Sequence, residues 1–220
     1  MEAPFHLPAV EGPGGPRDAF TFWGWSPDSR HYAYELYYPG SGGADCDMRG
    51  ELVIVDASKD AYAEEGYARF AYPSAEGPCT GPSPAEQADS QRSALLSKFD
   101  IQPTVEVVAN SGGDADWVVE PVDLGFFRLT LTQTGSAEAQ KAGYKLEMYE
   151  VGHAGMPKVI EAGTRHRDGV LRYSVHSVFF APDDSHVAIL IEKKQQDYEA
   201  VGTSYMTNAA TMFPPWDTED

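Results

Sequence analysis

Cysteine is nearly absent: the chain of 220 residues has two, Cys46 and Cys79. No second pair of ligands stands at a suitable spacing beside them, which excludes a structural zinc site. Long apolar runs are missing as well. Nothing approaches the roughly 18–20 residues of a membrane-spanning helix, so no transmembrane segment is expected. The opening Met1-Glu2-Ala3-Pro4 has neither the basic nor the apolar region of a signal peptide. That leaves either an intracellular protein or a mature terminus with an added Met. Positive charge is scarce: sixteen Lys and Arg face 34 Asp and Glu, a formal charge of −18. Such a surface repels phosphate backbones and anionic headgroups, so nucleic acid is not an expected partner. None of the six histidines forms a four-residue helical zinc pair, and none neighbours a nucleophile in a known elbow motif.

What is present reads as a globular β protein. Hydrophobic residues make up 42% and aromatics 12%, a composition rich in strand formers and able to fill a core. Both cysteines lie in Gly- and Pro-rich loop sequence instead of apolar strands. A Cys46–Cys79 disulfide is expected, adding about 3–4 kcal/mol in the chain-entropy model, with two free thiols as the alternative. Oxidised pairs belong to exported proteins.

One motif occurs twice. Trp25-Ser26-Pro27-Asp28-Ser29-Arg30-His31-Tyr32-Ala33-Tyr34-Glu35-Leu36 is matched by Phe180-Ala181-Pro182-Asp183-Asp184-Ser185-His186-Val187-Ala188-Ile189-Leu190-Ile191. Each copy is an aromatic strand end, a Pro-Asp turn and an alternating strand. His31 and His186 fall in equivalent places, which points to a repeated structural role. Short strand candidates surround the first copy at 20–25, 31–38, 51–56 and 67–72, a blade-like unit over 19–72 in which 51–56 is the most apolar. Ser83-Pro84-Ala85-Glu86 opens a helix over 84–100 with a capping residue, Pro at the first position and Glu three residues past the cap. Ala94, Leu95 and Phe99 give it a narrow apolar stripe. A second β half over 104–212 holds strands at 104–109, 117–120, 126–133, 144–151, 157–161, 171–180, 186–193 and 203–212. Residues 1–18 read as an extended arm and 213–220 as a tail. The expected fold is all-β, mainly antiparallel, with one short helix: a single β domain over 19–212, built as a two-sheet sandwich or an incomplete propeller-like meander.

The Ser-Pro-Asp hairpin followed by Leu52-Val53-Ile54-Val55-Asp56 resembles the repeat of TolB-type propellers. That resemblance implies protein contacts in the bacterial envelope. The hairpin, a helix containing Ala94-Leu95-Leu96-Ser97-Lys98-Phe99-Asp100-Ile101 and a late Tyr173-Ser174-Val175-His176-Ser177-Val178 strand together resemble an uncharacterised bacterial family of predicted secreted proteins. This implies a periplasmic or secreted protein, and it carries over no catalytic residue.

Asp45 and Asp47, with Glu51 nearby, and Asp114 with Asp116 are closely spaced carboxylates on Gly-rich loops. Calcium is the ion that would suit them; solvated turn carboxylates are the other reading. Arg165-His166-Arg167 with Arg172 is the one basic cluster, fit for an anion or an acidic partner because Arg forks bind carboxylate bidentately. Trp23, Trp25, Tyr37, Tyr38 and Trp117 are large rings that could supply interface anchors, Trp23 and Trp117 above all. His176 alternates with Ser174 on a strand but lacks an orienting acid, so no catalytic residue is assigned. The function expected is a non-enzymatic protein-binding or structural component of the bacterial envelope or cell exterior. A hydrolase, or a small-ligand or calcium-binding domain using the acidic loops, is the alternative.

Overall fold

A computed structural model describes residues 3–9, 17–38, 48–72, 79–103, 107–109, 122–136, 138–152, 156–197 and 200–212. Alternating sequences become antiparallel strands throughout. The first sheet runs in chain order: β1 (Phe5–Leu7), β2 (Ala19–Trp25), β3 (His31–Tyr38), β4 (Arg49–Asp56) and β5 (Ala61–Ala71). The helix α1 (Pro84–Lys98) follows, then β6 (Val107–Ala109). The second sheet holds β7 (Val122–Asp123), β8 (Phe127–Ser136), β9 (Lys141–Glu150) and β10 (Lys158–Ala162), with β11 (Arg167–Asp168) paired to β9. In the third, β12 (Val170–Phe180), β13 (His186–Asp197) and β14 (Ala200–Thr211) form a meander, and β6 joins it beside β12.

There are three sheets, not two, and none closes into a barrel. The cores give the layer order. Phe20, Phe22, Tyr32, Tyr34, Val53 and Val55 of the first sheet pack against Phe179, Ala188, Leu190 and Tyr205 of the third. Leu129, Leu131, Tyr144, Leu146 and Met148 of the second pack against Val178, Val187, Ile189 and Ile191 on the third sheet's other face. The third sheet is therefore the middle layer. Burial on both faces explains why Val187-Ala188-Ile189-Leu190-Ile191 is apolar without a break. The tightest inter-layer contact is Phe22 on Phe179, parallel at 3.9 Å between centroids.

The helix covers the outer face of the first sheet. Its capping box forms as the sequence predicts: Ser83 Oγ accepts from the Glu86 amide, and the Glu86 carboxylate accepts from the Ser83 amide. It ends at Lys98, two residues before the expected limit, where Asp100 turns left-handed at φ 51°. The docking stripe also differs from expectation. Ala94 is exposed, and Pro84, Ala88, Leu95 and Leu96 face Leu52 and Phe70. Gly24 permits the closure beyond the helix, because an added Cβ there would lie 1.9 Å from the Gln102 carbonyl oxygen. Trp25 and Gln102 exchange both backbone hydrogen bonds at that point.

The N-terminal arm is docked where it is described. Phe5–Leu7 extends the first sheet, and the Asp18 amide donates to the Thr203 carbonyl on β14 at 2.9 Å. One buried polar line crosses all the layers. Tyr144 Oη donates to Asn208 Oδ1 at 2.6 Å, and Asn208 Nδ2 donates to Asp60 Oδ2 at 3.1 Å. Asp60 Oδ1 also accepts from the Ala209 amide at 2.7 Å, capping the edge strand β14.

Candidate functional site

The repeated turns superpose residue for residue in their bonding. Ser26 N donates to His31 O as Ala181 N does to His186 O, and Ser29 N donates to Ser26 O as Asp184 N does to Ala181 O. Ser29 and Asp184 are both left-handed, at φ 59° and 57°. The copies also touch: the Asp183 amide donates to the buried Ser29 Oγ at 3.3 Å. In the second copy Ser185 Oγ lies 2.5 Å from Asp183 Oδ1 and 2.7 Å from His186 Nδ1. This places the serine in the centre, where catalysis needs the histidine. The hydroxyl proton goes to Asp183, so His186 Nδ1 carries its own proton towards Ser185 and cannot act as the base.

His176 is held between rings, with Phe5 at 6.5 Å and Tyr205 at 5.9 Å between centroids. Burial keeps its imidazole below the ordinary range. Its Nδ1 lies 2.8 Å from Ser177 Oγ, but Ser177 is wholly buried and its hydroxyl meets no solvent. The pair ties neighbouring side chains of β12 together.

The basic cluster is spread over two sheets. Arg165, His166 and Arg167 are exposed at the margin of the second sheet, whereas half-buried Arg172 sits on β12 opposite Lys194. His166 Nε2 is 3.1 Å from Thr134 Oγ1, and Arg167 Nη1 reaches Met206 Sδ at 3.7 Å. Asp45, Asp47, Cys46, Asp114, Asp116 and Trp117 lie outside the described residues. Cys79 is described and is not a free thiol. Among the described residues no group of three or more His, Cys, Asp or Glu could hold a metal ion, and no helix is long and apolar enough to cross a membrane.

Trp23 stands in the most developed surface feature. On β2 and β3, Thr21 and Trp23 alternate outward beside Glu35 and Tyr37, and α1 lies across from them. Together with Pro4, His6 and Ala85 they line a mostly apolar groove of about 370 Å³. The indole is clamped. Its Nε1 donates to Glu35 Oε2 at 3.2 Å, and the Arg92 guanidinium lies 4.8 Å from the ring centroid. Arg92 grips Glu35 bidentately at 2.8 and 2.9 Å and also pairs with Asp89.

Compared with family models, curated proteins and solved structures, the chain matches none. The functional reading therefore rests on this geometry. Glu35 and Arg92 escaped the sequence reading because they are 57 positions apart, on a strand and a helix, with no local spacing to join them.

Proposed function

We propose that the chain is a non-enzymatic protein-binding module of the bacterial envelope or cell exterior, and that it grips its partner through the Trp23 groove. The clamped indole carries this reading. An aromatic ring already fixed by an ion pair loses little conformational entropy on binding, and Trp with Arg is the pairing from which interface hot spots are built. The partner face is basic, because the formal charge of −18 favours a cationic surface and disfavours an anionic one. Export belongs to the same proposal, with Cys46 joined to Cys79.

The test is capture from a bacterial envelope extract on the immobilised full chain. Retention of a basic protein that Trp23→Ala releases, and that raised salt weakens, supports the proposal. Capture that survives Trp23→Ala overturns the groove as the contact. Turnover of ester, phosphate or peptide substrates that His176→Ala abolishes with the fold intact overturns the non-enzymatic reading.

A further inference from the structure

A second cleft, independent of the Trp23 groove, opens where the aromatic core between the first and third sheets runs out. It lies at the end of the strands away from the Pro-Asp turns. On β3 the inward row Tyr32-Tyr34-Leu36 reaches Tyr38; on β4 the row Val55-Val53 continues as Glu51 and Arg49. The register sets Leu36, Glu51 and Arg69 side by side across β3, β4 and β5, and Tyr38 beside Arg49. Across from them stand Lys193 and Gln195 of β13, Ser204 and Tyr205 of β14, and Asp18. The space between is about 360 Å³ and its lining is mainly polar.

Two features set this cleft apart from ordinary polar surface. Tyr205 is only 5% exposed, and both its hydroxyl and that of Ser204 are buried without a hydrogen-bond partner. Orphan hydroxyls of this kind are uncommon in folded proteins and cost stability unless something pairs with them. The second feature is charge. Arg49, Arg69 and Lys193 outnumber Asp18 and Glu51 here, in a chain whose formal charge is −18. The ion pairs among the described residues are made by other cations: Lys59, Arg92, Lys98, Lys141, Lys145 and Lys194.

We infer that this cleft binds a small hydrophilic carboxylate, its anionic group held by Arg49, Arg69 and Lys193 and its other polar atoms by the Tyr205 and Ser204 hydroxyls. Guanidinium forks match a carboxylate, and paired neutral hydroxyls suit the hydroxyl or second carboxyl of such a molecule. The volume lies at the small end of the roughly 300–1,000 Å³ range of ligand sites. Burial holds Lys193 below its ordinary range, with Arg167 adding to the effect, so an arriving anion relieves existing repulsion.

The experiment is thermal denaturation and calorimetric titration of the full chain with sodium glucuronate and sodium succinate at matched ionic strength, with glucose and inorganic phosphate as comparators. At least one carboxylate is expected to raise the melting temperature in proportion to the logarithm of its concentration, and glucose to leave it unchanged. Arg69→Gln, at an exposed position, should weaken that carboxylate about tenfold or more. Tyr205→Phe should weaken it several-fold while leaving the ligand-free melting temperature equal or higher, because it deletes an unpaired buried hydroxyl. No response to either carboxylate, a response to phosphate alone, or an undiminished response in Arg69→Gln overturns the inference.

Discussion

Single side chains in this protein tie distant layers together, and Asn208 does so most directly. Its amide accepts from Tyr144 of the second sheet and donates to Asp60 of the first. Asn208→Ala leaves both groups without that partner in a largely dry interior. A cost of about 1–3 kcal/mol is expected, read as a lower urea midpoint at unchanged slope. Titration offers a second handle. Burial pushes the Asp18 carboxyl up to about 6, against the pull of Arg49 and Lys193. Between the ordinary value of 3.8 and about 6 the folded state keeps a proton that the unfolded state has lost. Stability therefore falls as pH rises through that window, and Asp18→Asn should flatten the fall. Asp56 has the opposite sign: its hydrogen bonds from Lys59 and Ser58 bring it down to about 2. Its contribution is complete above the ordinary value and is lost as pH falls towards 2. Urea midpoints measured across the acid range, with each variant beside the parent, separate the two slopes.

At the scale of elements, the two hairpins are the same device used twice, and their parts differ in weight. The prolines preset φ in exposed turns whose bonds are made by the backbone and by Asp28 or Asp183. Pro27→Ala and Pro182→Ala should each cost less than about 1 kcal/mol, chiefly through the unfolded chain. Ile54 and Ile189 are wholly buried in the strands that follow, and truncation to Ala should cost about 2–5 kcal/mol each. Equal small losses at all four positions would contradict the packing. These elements were largely legible in the sequence, because alternation, Pro-Asp turns and a capping box are local signals. The helix stripe was misjudged at Ala94 since helical periodicity alone does not say which of two adjoining faces meets the sheet. The Trp23 clamp and the polar cleft were illegible for a different reason. Their members are joined by strand register across the sheets and by packing between layers, and neither leaves a trace at short range. Trp23 itself was singled out, but the ion pair that holds it was not.

The whole molecule is a stack of four layers: helix, first sheet, third sheet and second sheet. The middle sheet belongs to both large cores, with Phe179, Ala188 and Leu190 serving one and Val178, Ile189 and Ile191 the other. The sequence could not announce this, because the doubly buried run 187–191 shows only that both faces are covered, not by what. One consequence concerns the cysteines. If export is correct, the unreduced chain unfolded in denaturant should show no free sulfhydryl on thiol titration, and finding two would remove the Cys46–Cys79 bond together with much of the case for export. The other concerns cooperativity. A sheet that supplies side chains to two cores cannot lose one partner and keep its own structure without exposing a continuous apolar face. The first and second sheets should therefore unfold together. Trp23 and Trp25 both lie in the first sheet, while far-ultraviolet circular dichroism reports strands in all three. The urea transitions followed by tryptophan fluorescence and by circular dichroism should coincide, as two-state unfolding requires. A fluorescence transition well ahead of the dichroic one would mean that the first sheet and helix peel away as a separate unit, and that the stacked Phe22–Phe179 contact does not couple the layers.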